Sequence, residues 1–131
     1  MNYLQFEKSL KEKKIAPLYV LTGKEEFLKR QAIRLMKSRL GEDRLFFKEY
    51  SVDAQFNPRQ LLSDLYSEAL FDDFNLIILH HAQSIASRLY EPLSQYLQQP
   101  PAHSSLIIEM EKLDQKTKFA QLIKKKGTLV E

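Results

Sequence analysis

The 131 residues contain no cysteine, which removes disulfides and thiolate metal sites and gives no sign of a secreted scaffold. Long apolar runs are missing as well, and none approaches the ~20 residues that a bilayer span needs. The opening residues, MNYLQFEKSLKEKK, are amphipathic and charged, without the apolar core of a signal peptide. Cytoplasm, without membrane association, is therefore the expected compartment. No internal repeat, low-complexity tract or linker interrupts the chain. Strong charge bias is lacking too: the net charge is +3, with lysines and arginines interleaved among acids as on a solvated surface. One dense basic block, Lys124–Lys126, stands just before Gly127, where it reads as a cationic last helical turn complementing the helix dipole. Composition does not require a nucleic-acid surface.

What is present suits a single domain with one respectable core, since 44% of the residues are apolar. The spacing predicts a helix over Tyr3 to Lys13 with Asn2 as cap, then an apolar strand in PLYVLTG, Pro17–Gly23. A second helix follows, its apolar stripe built from Phe27, Leu28, Ala32, Leu35, Met36 and Leu40, and Gly41 ends it. Leu45–Val52 reads as a strand. Asn57 and Pro58 open a third helix whose stripe runs Leu61, Leu62, Leu65, Tyr66, Ala69. NLIILHHA, from Asn75, is apolar on both faces, as a central parallel strand should be. A helix over Ser87–Gln98, a strand over Ser104–Met110, a helix capped by Asp114 and a last strand in TLVE complete the order.

Strands alternating with helices imply right-handed crossovers and a three-layer α/β domain with a five-stranded, mostly parallel sheet. The chain stops at its last strand, so residues 1–131 are expected to be one domain of a longer protein.

A glycine and a lysine after the first strand invite comparison with the phosphate-binding loop, G-x-x-x-x-G-K-[ST]. With Gly23–Lys24 as its G-K, the first glycine falls at Leu18 and the hydroxyl residue at Glu25. Both ends of the motif fail, and Glu25 and Glu26 place carboxylates where phosphate would sit. Thr22 and Glu25 have instead the spacing of a capping box. His80 and His81 stand where an acidic pair would hold magnesium. As neighbours on a strand they should point to opposite faces, and with His103 they form no metal pattern. No arrangement for a nucleophile or a phosphorylated aspartate is visible. The sequence thus gives no catalytic, nucleotide-binding or metal residues and no cofactor. A divergent P-loop NTPase is the alternative function.

Leu70 and Phe71 are the unusual pair. They lie between Glu68 and Asp72–Asp73 at the corner leading into the third strand. Large apolar residues there either plug the core or reach outward. The helical stripe already covers the sheet-facing side, and flanking acids keep a small apolar tip soluble.

Four stretches in order, PLYVLTGKEEFLKRQAI, SEALFDDFNLIILHHA, YLQQPPAHSSLIIEMEKLDQKTKFAQLIKKKG and TLVE, resemble the N-terminal domain of the delta subunit of the bacterial DNA polymerase III clamp loader. The matching features are Gly23, Glu25, Glu26, Phe27 and Leu28 after the first strand, and Ala69, Leu70 and Phe71 before the third. Lys112, Leu113, Asp114 and Lys116 follow the fourth. The resemblance implies an AAA+-like fold whose nucleotide site has degenerated, and a non-catalytic role. That role is to grip the sliding clamp, the polymerase III beta subunit, and open it for loading onto primed DNA. It implies that Leu70 and Phe71 insert into a hydrophobic pocket on the clamp. The other loader subunits would be met through regions absent from these residues, a helical lid and a collar, and DNA indirectly. Some members carry an apolar residue where this chain has Glu68.

Overall fold

The computed structural model describes residues 1–12, 14–53, 55–67 and 74–131. Five helices, α1 (Tyr3–Lys11), α2 (Glu26–Leu40), α3 (Pro58–Tyr66), α4 (Ala86–Gln98) and α5 (Lys118–Lys126), alternate with five strands. The strands are β1 (Leu18–Leu21), β2 (Leu45–Ser51), β3 (Phe74–His80), β4 (Ser104–Glu109) and β5 (Thr128–Val130).

All four strand pairings are parallel, and the order across the sheet is β2-β3-β4-β1-β5. The side-chain period of two sorts each inner strand between two cores. Leu18, Val20, Ile77, Leu79, Leu106 and Ile108 pack with α3, α4 and α5 on one face. Tyr19, Leu21, Leu76, Ile78 and Ile107 pack with α1 and α2 on the other. Chain direction explains this division of helices. From β1 the chain crosses to the far edge at β2, and afterwards every crossover runs the opposite way. Right-handed connections running in opposite directions must lie on opposite faces.

Helix starts follow local chemistry in three cases. Asn2 and Gln5 make a reciprocal capping box on α1, with both hydrogen bonds at 2.8 Å. The Asn57 side chain accepts from the Arg59 N–H at 2.9 Å at the start of α3. On α5 the cap is Thr117, whose hydroxyl accepts from the Ala120 N–H at 3.1 Å. Asp114, the expected cap, shapes the turn before it by accepting from the Lys116 N–H at 3.1 Å.

Three expectations are corrected. Thr22 and Glu25 form no capping box: α2 begins at Glu26 without a side-chain cap, and the Thr22 hydroxyl donates to the Val130 carbonyl at 3.3 Å. Thr22 still lies beside β5, so the sheet edge claims its hydroxyl. Phe27 and Leu28, placed in the buried stripe of α2, are 60% and 41% exposed, while Lys29 is 1% exposed. The face that α2 actually buries is Lys29, Ala32, Ile33 and Met36. Finally, α3 stops at Tyr66, because Ser67 takes an extended backbone with ψ 144°.

Candidate functional site

In a doubly wound sheet the natural ligand crevice lies beyond the carboxyl ends of the strands, where successive crossovers diverge. Here the chain leaves β1 toward β2 and leaves β4 toward β5, so the crevice falls between the ends of β1 and β4. Gly23 makes the turn out of β1 at φ +125°, a conformation that side chains rarely adopt, and its N–H donates to the Glu111 carbonyl at 3.0 Å.

Protein side chains occupy that crevice. Glu109, the last residue of β4, is 2% exposed and pairs with Lys29 of α2 at 2.7 Å. Lys29 also reaches Glu26 at 3.0 Å. The other carboxylate oxygen of Glu109 lies 3.3 Å from Nδ1 of His80 and accepts from the His81 N–H at 3.3 Å. His81 adopts a left-handed backbone, φ 56°, which brings its ring within 3.8 Å of the same oxygen. The two histidines therefore do not diverge as adjacent strand residues would, because the strand ends between them. Tyr3 closes the rim, its hydroxyl donating to the Thr22 carbonyl at 2.9 Å.

The charges in this knot support one another. Burial works against a charged Glu109, but His80 and Lys29 outweigh it and bring its pKa down to about 2. Burial likewise opposes the charge on Lys29, yet the hydrogen bonds it donates to Glu109 and Glu26 leave its pKa raised. The hydrogen bond to Glu109 raises His80 against the cost of burial, with Glu49 adding to the effect. Burial, then the nearby Glu109 and Glu26, push Tyr3 up to about 12. An incoming phosphate would have to displace Glu109 from Lys29, and the exposed Glu25 and Glu26 would repel it. Among the described residues no group of three or more His, Asp or Glu is arranged to hold a metal ion.

The amino end of the sheet is organised differently. Residues 68–73, which include Leu70 and Phe71, lie outside the described residues, but the two positions that flank them do not. Ser67 ends α3 and Phe74 starts β3. The Ser67 carbonyl receives two side-chain donors, Nδ2 of Asn75 at 2.7 Å and Nε2 of His103 at 3.2 Å. A carbonyl can only accept, so Nε2 of His103 carries the proton in this contact. The same Asn75 amide lies 3.3 Å from the Ser104 hydroxyl, which itself donates to the Leu65 carbonyl. Asn75 is 1% exposed, and its Oδ1 has no hydrogen-bond partner among the described residues. A buried acceptor left open in this way costs about 1–3 kcal/mol. Tyr66, the last residue of α3, meets Tyr96 of α4 edge to face, ring centroids 6.0 Å apart.

Sequence reasoning missed both networks. Lys29 was legible in principle, since it shares a helical face with Ala32, Ile33 and Met36 and a polar end to an apolar strand awaited it in Glu109. Asn75 gave no signal beyond opening an apolar strand.

The sequence from residue 19 to 131 matches the family model described as DNA polymerase III, delta subunit. The chain belongs to the DNA polymerase III delta subunit family. No curated protein matches the sequence. Among solved structures, the chain is similar to the Bacillus subtilis DNA clamp loader delta protein (YqeN), with a TM-score of 0.79 at 20% identity. That match covers 98% of this chain and 42% of the other. A DNA polymerase III gamma subunit-related protein from Thermotoga maritima matches with a TM-score of 0.60 at 13% identity, over 100% of this chain and 46% of that one. The chain thus spans less than half the length of either protein. At these identities the likeness is one of fold: the five-stranded parallel sheet with its flanking helices has the α/β architecture of these two proteins.

Proposed function

We propose that residues 1–131 form the clamp-binding N-terminal domain of a delta subunit, acting in the cytoplasm to grip the sliding clamp and open it for loading onto primed DNA. Membership of the delta subunit family over residues 19–131 carries this reading. In the longer protein a helical lid and a collar follow, the collar joins the other loader subunits, and DNA is engaged indirectly, through the clamp loaded on it. Leu70 and Phe71 are the proposed contact with the clamp, flanked by Glu68 and the Asp72–Asp73 pair. The two side chains offer ~3–6 kcal/mol of gross hydrophobic stabilisation on burial, partly offset by association entropy.

The domain performs no chemistry of its own and uses no nucleotide or other cofactor. The Lys29–Glu109 pair at 2.7 Å supports this, because it fills the crevice where an α/β domain would otherwise take phosphate. No described helix is long and apolar enough to cross a membrane.

Calorimetry of the chain with its cognate sliding clamp tests the reading. Leu70→Ala combined with Phe71→Ala is expected to weaken binding at least about tenfold, ~1.4 kcal/mol, while thermal stability barely changes. Core plugs would behave in reverse, since truncating a buried Leu or Phe costs about 2–5 kcal/mol of folding energy. Magnesium-ATP at millimolar concentration should give no saturable signal. A signal abolished by Lys24→Ala would restore the P-loop NTPase alternative.

A further inference from the structure

The described residues on either side of the proposed clamp contact are tied to the sheet in a specific way. Ser67 is the last described residue before it and Phe74 the first after it. An ordinary helix end leaves its carbonyls to water or to a following backbone N–H. The Ser67 carbonyl instead has both lone pairs engaged by side chains from two neighbouring strand starts, Asn75 of β3 at 2.7 Å and His103 just before β4 at 3.2 Å. The Asn75 backbone N–H meanwhile donates to the His103 carbonyl at 2.8 Å, so the two donors are held to each other. Ser67 adds a bond of its own, its hydroxyl donating to the Asp64 carbonyl at 2.9 Å. One residue is thus fixed through its carbonyl from β3 and from the approach to β4, and through its hydroxyl from α3.

We propose that Asn75 and His103 are positioning residues for clamp recognition: they fix where the chain leaves α3 and so set the span between Ser67 and Phe74 that presents the contact. The proposal rests on the clamp-binding reading given above. Asn75 also couples this anchor to the core. Its carboxamide lies 3.3 Å from the Ser104 hydroxyl, and Ser104 sits beside it in the register of the β3–β4 pair. A rigid mount of this kind raises affinity by reducing the ordering that binding would otherwise require, without either residue touching the partner.

His103 is the cleaner place to test this, because it is partly exposed while Asn75 is buried. Clamp affinity should fall about fivefold in His103→Ala, the weight of one hydrogen bond, and return toward the parent value in His103→Gln, which restores an N–H donor. A purely structural role would not distinguish the two variants in affinity while leaving their melting temperatures alike. Amide hydrogen exchange adds a second readout. In Asn75→Asp, which keeps the shape but loses the donor, exchange at Phe74 should quicken while Ile77–Leu79 stay protected. Equal clamp affinity for the parent, His103→Ala and His103→Gln would overturn the anchor and leave the clamp reading intact. If the unmodified chain does not bind the clamp, the clamp reading falls and the proposed role falls with it. Unchanged exchange at Phe74 in Asn75→Asp would then dismiss the anchor itself.

Discussion

At the carboxyl end of the sheet Glu109 lies against Lys29 at 2.7 Å and His80 at 3.3 Å, whereas at the amino end the side chains of Asn75 and His103 hold the Ser67 carbonyl and the Ser104 hydroxyl holds that of Leu65. Both networks are built at the ends of the interior strands β3 and β4, and both join strands to a helix. Their consequences differ. Removing one member of a buried ion pair leaves a charge stranded in low dielectric, so the carboxyl end is strongly committed to its closed arrangement. Removing one neutral hydrogen bond costs far less, and the anchor at Ser67 fixes backbone position without holding stored charge. The fold thus places its buried ion pair at the end where an α/β domain takes a ligand, and its Ser67 hydrogen bonds at the end beside the proposed partner contact.

The largest effect should come from splitting the charged end. Glu109→Gln leaves buried Lys29 with only the exposed Glu26 as a charged partner, at 3.0 Å, and is expected to cost about 3–5 kcal/mol of folding stability. Urea denaturation of the single variant and of Lys29→Met/Glu109→Gln measures this. The double variant should recover most of the loss, because two neutral groups of similar volume replace the pair. A double variant as unstable as the single one would mean that the pair is not the keystone of that end.

Asn75→Ala should cost less, about 1–3 kcal/mol, since the Ser67 carbonyl and Ser104 hydroxyl lose a donor that water cannot readily replace. That cost should not change with pH in acid. The Glu109 contribution behaves otherwise. Its pKa is depressed from 4.5 to about 2 on folding, so the stabilisation is present above 4.5 and is lost as pH falls toward 2. Denaturation of both variants at neutral and acid pH separates the two ends. A Glu109→Gln cost that stays constant down to acid pH would break the contrast.

The smallest effect is alkaline. The folded pKa of His80 lies above its ordinary 6.5, with Glu109 as the main cause. The charged histidine therefore contributes stability that is complete below 6.5 and lost as pH rises through the raised value. His80→Gln should flatten that decline in melting temperature. A decline of the same slope in the variant would assign it to another group.

The order of strands and helices, the parallel sheet and the two-faced apolar strands were legible along the chain, because helical and strand periods are local properties of sequence. Asn2 with Gln5, Asn57 with Pro58, and Lys124–Lys126 before Gly127 each specify a helix end within a few residues of themselves. The broken phosphate-loop pattern was equally plain, since it depends only on what stands at Leu18 and Glu25. Other features waited for the fold. Lys29 and Glu109 are 80 residues apart, and Ser67 and His103 are separated by 36. Nothing local says that a lysine will be buried in place of Phe27 and Leu28, or that a histidine before β4 will hold the end of α3. Those choices depend on the strand order β2-β3-β4-β1-β5. Only that order sets the end of β4 against α2 and the approach to β4 against the end of α3. Buried polar groups must find partners wherever the packed chain brings them, so their pairing is fixed by tertiary contact and not by neighbours in sequence.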